Sequence, residues 1–157
     1  MSRLQILIIL PSEETSSGAV AVEETLRRFN VPVERIFVEA SGRGGRNLPR
    51  REDVFCLVVR QHPRAVAWAE RHYPDSLMLM ISRSFKDCSC ALEVLKEAAK
   101  KPLGKARPTF TLGKAGETNA ALFAVAMMAV HQPDLRARLL CYRKKQTRAV
   151  LNQPPLS

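Results

Sequence analysis

Five short apolar runs divide the chain, and each has the length of a β-strand. The first run, residues 4–10, is continuous rather than alternating, which is typical of a strand buried on both faces of a parallel sheet. Segments with helical spacing of their apolar residues follow most of these runs. The order predicts an α/β fold with an open, doubly wound parallel sheet in three layers. The predicted strands are 4–10, 31–39, 54–59, 77–81 and 108–112, and the predicted helices are 18–29, 63–71, 90–101, 117–130 and 134–151.

The connection between the second and third predicted strands, residues 40–53, is rich in Gly, Arg and Pro. It has no apolar periodicity that could cover a sheet face. A parallel crossover normally contains a helix, so we predict a crossover loop that has lost its helix.

Residues 111–130, TLGKAGETNAALFAVAMMAV, form the most informative stretch. A Gly-rich turn at 113–116 leads to polar residues expected at a helix start, so we predict that the helix begins near Glu117. Every side chain from 120 to 130 is apolar, which predicts coverage all round by the same domain or by a neighbouring subunit. The turn is either an anion-binding helix N-terminus, favoured by Lys114 and opposed by Glu117, or a conformational turn needed for packing; the second needs fewer assumptions.

A length of 157 residues with 46% hydrophobic residues predicts one domain over 1–157, with a flexible tail at 152–157. No apolar run approaches a membrane span, and the first ten residues lack the layout of a signal peptide. We therefore expect a cytoplasmic protein that does not bind membranes.

The chain carries 25 Lys and Arg against 15 Asp and Glu, a formal charge of +10. This excess favours phosphates, anionic small molecules or nucleic acid as partners. Basic residues cluster in the 40–53 loop and after Asp134, where no acidic residue follows. No aromatic side chains interleave these charges, so a solvated helix face plus a basic loop is favoured over a nucleic-acid groove.

The four cysteines include one C-x-C pair, Cys88 and Cys90, which is too close for an ordinary structural disulfide and differs from the usual zinc-ribbon spacing. We expect reduced thiols, no metal and no other cofactor.

The C-terminal third carries a family resemblance. The run G-K-A-G-x-x-N-A-A-L at 113–122, His131, D-L-x-x-R-L at 134–139 and R-K-x-Q-T at 143–147 resemble carboxyaminoimidazole ribonucleotide mutase, the PurE-type enzyme of purine synthesis. The resemblance implies a flavodoxin-like fold, a C-terminal helix that packs on a neighbouring subunit, and an octamer. It also implies carboxyl transfer on an aminoimidazole ribonucleotide.

The loops after the first three strands depart from the family pattern. Where the family has G-S-x-S-D, this chain has P-S-E-E-T at 11–15, which keeps Ser12 and adds two glutamates that oppose a phosphate. Where the family has S-A-H-R-T-P, only Ala40 is kept, and Ser41 stands in place of the proton-shuttling His. Where the family has small residues leading to H-L-P-G, this chain has the bulky run R-Q-H-P-R at 60–64.

Three functional hypotheses follow. The leading one is a PurE-like protein with degenerate loops, either an oligomeric scaffold or a binder of another anionic ligand. The second is a divergent but active mutase or carboxylase in which His62, Arg43 or Arg46 has been recruited for catalysis. The third is nucleic-acid binding. The candidate catalytic residue is His62, and the candidate ligand-binding residues are Ser12, Ala40, Arg43, Arg46 and Lys114.

Overall fold

A computed structural model describes residues 4–12, 19–45, 47–82 and 106–152, together with positions 92, 95, 96, 99, 100 and 104. Five parallel strands form one sheet in the order β2-β1-β3-β4-β5. The strands are β1 (Gln5–Pro11), β2 (Val33–Val38), β3 (Val54–Arg60), β4 (Leu77–Ser82) and β5 (Thr109–Leu112). The predicted parallel sheet is confirmed, and the strand boundaries lie within two residues of those predicted.

Helices cover both faces of this sheet. They are α1 (Val20–Arg28), α2 (Pro63–His72), α3 (Gly113–Met128) and α4 (Pro133–Leu151), and a single 3-10 turn spans Arg51–Asp53. Of the helix predicted over 90–101, positions 92, 95, 96 and 99 are helical, and the remainder lies outside the described residues except for the turn at position 100. The serines expected to cap the first helix also lie outside them, and the N-cap position of α1 is Ala19.

The central strands are buried on both sides, which explains their unbroken apolar sequence. Ile6, Ile8 and Leu10 of β1 pack with residues of α1, α3 and α4, whereas Leu7 and Ile9 face the cluster that contains α2. The sheet is thus the middle of three layers, as the fold class requires.

Helix α3 begins at Gly113, so the predicted start near Glu117 is wrong by one turn. The Gly-rich motif is itself the first turn of the helix. Gly113 has a φ of 65°, in the left-handed region that favours glycine. Gly116 faces the backbone of β5, where an added Cβ would overlap the carbonyl oxygen of Thr111. The motif therefore seats the helix directly on its own strand, which favours the packing interpretation.

In its described residues, 39–45 and 47–53, the crossover from β2 to β3 contains no α-helix, as predicted. Two hydrogen bonds hold its second half against the end of α2: the hydroxyl of Tyr73, directly after α2, donates to the carbonyl oxygen of Pro49 at 2.9 Å, and Arg51 Nε donates to the carbonyl oxygen of His72 at 2.7 Å. Within α2, the indole of Trp68 stacks on the His72 ring with 4.2 Å between centroids.

Only the first half of α4 packs on its own chain. Leu135 and Leu139 are buried, Arg138 Nη1 donates to the carbonyl oxygen of Phe29 at 2.6 Å, and Tyr142 meets the Phe29 ring edge-on. Every residue from 143 to 151 is exposed. Packing of this distal half on a neighbouring subunit remains a prediction.

We expect Gly116→Ala to lower the free energy of unfolding by at least about 3 kcal/mol, because the methyl group must displace either helix or strand backbone. Urea unfolding followed by circular dichroism measures the loss. Lys114→Ala is the control, since Lys114 is exposed in the same helical turn and should change stability by less than about 0.5 kcal/mol. A loss in Gly116→Ala no larger than in the control would show that the close approach is not a constraint.

Candidate functional site at the carboxyl edge of the sheet

Ligands of open α/β sheets bind beyond the carboxyl ends of the strands, at the point where strand order reverses. In this sheet β2 lies on one side of β1 and β3 on the other, so the reversal falls between β1 and β3. The residues at these strand ends therefore decide what the protein can bind.

The loop after β1 starts with Ser12, which is exposed. Its backbone N–H donates to the carbonyl oxygen of Val38 at 2.9 Å. That donor extends the β1–β2 ladder and does not point towards a ligand. The two glutamates predicted to oppose a phosphate, Glu13 and Glu14, lie outside the described residues.

The loop after β2 closes on itself in a tight turn. The N–H of Glu39 donates to the carbonyl oxygen of Arg43 at 2.7 Å, and the Ser41 hydroxyl donates to the Glu39 carboxylate at 3.1 Å. Ser41 Oγ also lies 3.4 Å from the N–H of Arg43. The candidates Ala40 and Arg43 are both exposed on this turn, and Arg46 lies outside the described residues.

The loop after β3 carries a charged pair that the sequence analysis missed. Arg60 ends β3, and its Nη2 lies 3.2 Å from Oε1 of Glu117 in α3. The side chains are only 5% and 12% exposed. The sequence offered one signal, an arginine at the end of an otherwise apolar run, but the partner lies 57 residues away.

Two neutral polar side chains meet beside this pair, where β3 and β4 end. Ser82 is buried, and its hydroxyl lies 3.0 Å from Oε1 of Gln61. The backbone N–H of Gln61 donates to the carbonyl oxygen of Ile81 at 2.8 Å. Side-chain and backbone hydrogen bonds of Gln61 thus fix the loop after β3. The family pattern has small residues at this position.

His62 is the N-cap of α2. Its Nδ1 accepts the backbone N–H of Arg64 at 3.3 Å, and Pro63 occupies the first helical position. To act as a base through Nε2, the neutral ring would have to carry its proton on Nδ1, and the imidazolium carries one there as well. In either form Nδ1 carries a proton and cannot accept the N–H of Arg64. Proton shuttling at His62 is therefore incompatible with its capping hydrogen bond.

Lys114 is exposed in the first turn of α3, one turn before Glu117. None of the hydrogen bonds described above joins it to Ser12, Ala40 or Arg43. The described candidates Ser12, Ala40, Arg43 and Lys114 are all exposed, whereas Arg60 and Ser82 are buried at this edge and their partners Glu117 and Gln61 are partly buried.

Other groups with chemical potential lie away from the edge or are inert. Cys56 is in the interior of β3, where burial raises the pKa of its thiol to about 12. Cys141 is an exposed free thiol on α4, and Cys88 and Cys90 lie outside the described residues. Where side chains are described, no three His, Cys, Asp or Glu converge closely enough to hold a metal ion. No helix in the described ranges is long and apolar enough to cross a membrane.

Comparison with known proteins places these features in a family context. No family model matches the chain. It is 35% identical over 63 residues to the N5-carboxyaminoimidazole ribonucleotide mutase of Vibrio cholerae, covering 40% of this chain and 39% of that protein. It is 45% identical over 53 residues to the protein of the same name from Escherichia coli, covering 34% of this chain and 31% of that protein. The alignment thus spans less than half the length of these curated relatives.

The fold comparison extends over nearly the whole chain. The crystal structure of Treponema denticola PurE superimposes with a TM-score of 0.60 and covers 94% of each chain, at 12% sequence identity. The partial sequence match and the fold agree. Over part of its length, this chain is similar in sequence to PurE-type mutases. The resemblance found in the C-terminal motifs is confirmed, and so is the flavodoxin-like fold.

The PurE-like motifs are structural in this chain. The G-K-A-G run seats α3 on β5, and the D-L-x-x-R-L run supplies Leu135, Leu139 and Arg138, which attach α4 to the core and to the end of α1. The residues that depart from the family pattern lie after β1, β2 and β3.

We expect His62→Ala to lower the free energy of unfolding by about 1 kcal/mol, because the N-cap acceptor of α2 is lost. His62→Asn should restore most of that stability, since Asn is among the best N-cap residues. Urea unfolding curves of the three proteins decide the matter. Equal destabilisation by Ala and Asn would contradict the capping role.

Proposed function

We propose that this PurE-like protein does not carry out carboxyl transfer and acts as an oligomeric scaffold or as a binder of a different anionic ligand. The observation that carries the proposal is the use of His62 as a helix cap, because its Nδ1 is committed to the Arg64 N–H. Carboxyl transfer between nitrogen and carbon of an aminoimidazole needs a group that exchanges protons near neutral pH. Ser41, which stands where the family has His, cannot replace that group.

Two further features support the proposal. The serine turn after β2 is closed by its own hydrogen bonds, and the large side chain of Arg60 fills space beside α3. A tight pocket for a carbon dioxide intermediate would require these loops to open. This requirement adds to the loss of the acid/base group, which by itself typically costs about 100- to 10,000-fold in rate.

An exposed apolar surface supports assembly into an oligomer. Val130, between α3 and α4, is 72% exposed, and Leu140 of α4 is 50% exposed. A groove of about 430 Å³ lies between α3 and α4, with an apolar floor and Arg136 and Arg143 among its lining residues. Exposed apolar residues grouped in this way are typical of an interaction surface. A second copy of the chain is the proposed occupant, in a symmetric assembly for which an octamer is preferred.

The basic surface of α4 does not favour nucleic acid. Its exposed cations include Arg143, Lys144 and Arg148, whereas its one aromatic residue, Tyr142, is half-buried against Phe29. Single-stranded nucleic acid needs exposed aromatic rings for stacking, and α4 presents none. We also propose that the protein is cytoplasmic and uses no cofactor.

We expect no measurable mutase activity from the purified protein and no rescue of a purine-requiring strain that lacks its own mutase. The assay follows interconversion of N5-carboxyaminoimidazole ribonucleotide and its carbon-carboxylated isomer, with an active mutase as the positive control. The rival hypothesis of a divergent active enzyme makes the opposite prediction. Rescue by the wild-type chain together with failure of His62→Asn would establish His62 as the acid/base and refute the proposal.

For assembly, we expect light scattering on the size-exclusion peak to give about eight times the 17.6 kDa chain mass. Leu140→Glu should shift the protein to smaller species, because a charge would be buried at the apolar surface. Ala67→Glu is the matched control: it adds the same charge at an exposed position of α2, on the other face of the sheet. A stable monomer at micromolar concentration would contradict the assembly.

A further inference from the structure

Arg60 stands at the most informative position of the carboxyl edge. It is the last residue of β3, which is hydrogen-bonded to β1, so it lies beside the reversal of strand order. Its side chain is only 5% exposed, and four of the six residues that precede it in the strand are fully buried apolar residues. A guanidinium group therefore replaces the apolar side chain that the pattern of β3 would otherwise place there.

Glu117 reaches Arg60 from α3. It lies in the second turn of that helix, where the seating of Gly116 on Thr111 brings the helix against the sheet. The Nη2–Oε1 separation of 3.2 Å is that of an ion pair with a hydrogen bond. Lys114, one turn earlier, adds a second positive charge at the same helix end.

Stability alone is a poor reason for this pair. Taking both charges out of water costs free energy that their attraction barely repays, and well-packed apolar residues of similar volume are often as stabilising or more so. A guanidinium group does, however, match the geometry of a carboxylate or phosphate through its fork of N–H donors. At the carboxyl edge of the sheet, Glu117 supplies such a carboxylate from within the chain.

We propose that Arg60 is the receptor for a small oxyanion, a carboxylate or a phosphate, and that Glu117 is the internal carboxylate which this ligand displaces. The inference rests on the proposed function and extends it, since it names Arg60 as the residue that binds the anionic ligand. It differs from phosphate binding at the first loop, because the receptor comes from the end of β3. The ligand must break the Arg60–Glu117 contact before it can bind Arg60, and this lowers its apparent affinity. We therefore expect the wild-type chain to bind small anions weakly.

The test is isothermal titration calorimetry with inorganic phosphate and, separately, acetate. Glu117→Gln keeps the shape and an oxygen acceptor for Arg60 but removes the competing charge. We expect this variant to bind phosphate or acetate at least roughly tenfold more tightly than the wild-type chain. A tenfold change in affinity corresponds to the loss of one charge-assisted hydrogen bond, here the bond between Glu117 and Arg60. The anion that gains more identifies the ligand as a phosphate or as a carboxylate.

Glu39→Gln is the matched control, because Glu39 is exposed at the same edge of the sheet and its loss changes the net charge equally. It should change the affinity by less than about twofold if the effect depends on contact with Arg60 rather than on overall charge. Adding Arg60→Gln to Glu117→Gln should abolish the gain. A gain that survives this second substitution would refute Arg60 as the receptor.

Glu117→Asp provides a second route should Glu117→Gln fail to fold, as judged by circular dichroism. It keeps the net charge but draws the carboxylate back by one methylene, which weakens its contact with Arg60 and should also raise anion affinity. If neither variant binds phosphate or acetate more tightly than the wild-type chain, the pair is structural only and the inference fails. That result would not change the prediction that the protein lacks mutase activity. Detection of mutase activity, in contrast, would refute the proposed function but would not decide whether Arg60 binds anions.

Discussion

The contact between Gly116 and the backbone of Thr111 determines how the rest of the molecule is arranged. Because nothing larger than hydrogen fits at Gly116, α3 can lie directly on the strand that precedes it. In this position α3 packs its small residues into the core shared with α1, β1 and β3, among them Ala120, Ala121 and Ala124. The same position brings Glu117 within reach of Arg60. A turn that resembles an anion-binding loop thus acts mainly as a packing device.

This constraint explains why the PurE resemblance is concentrated in motifs rather than in loops. The G-K-A-G run and the Arg138 segment fix how α3 and α4 attach to the sheet, and few sequences satisfy such close backbone contacts. Residues 39–43 after β2 form an exposed turn, and such residues can change without disturbing the strands beneath. Fold and site chemistry can therefore depend on different parts of a chain.

The sequence predicts the sheet well because the strands are buried on both faces, and a continuous apolar run is a direct consequence of that burial. It fails at the start of α3, because Glu117, Thr118 and Asn119 look like a helix start. The positive φ of Gly113 and the contact of Gly116 belong to three-dimensional packing. The Arg60–Glu117 pair escaped for the same reason, since residues 57 positions apart share no local pattern. The chemical types of Ser12, Ala40, Arg43 and Lys114 could not show that these residues are all exposed, with Ala40 and Arg43 on one self-closed turn.

The crossover from β2 to β3 is held in place by two separate sets of hydrogen bonds. Tyr73 and Arg51 hold its second half through the carbonyl oxygens of Pro49 and His72, while hydrogen bonds among Glu39, Ser41 and Arg43 close its first half. An imidazole at position 41 would replace the hydroxyl that bonds Glu39 and would stand on an exposed turn. It would lie far from the low-dielectric surroundings that tune a catalytic pKa. An imidazole that exchanges protons at this position would therefore need a different turn, because the backbone of this loop follows its own hydrogen bonds.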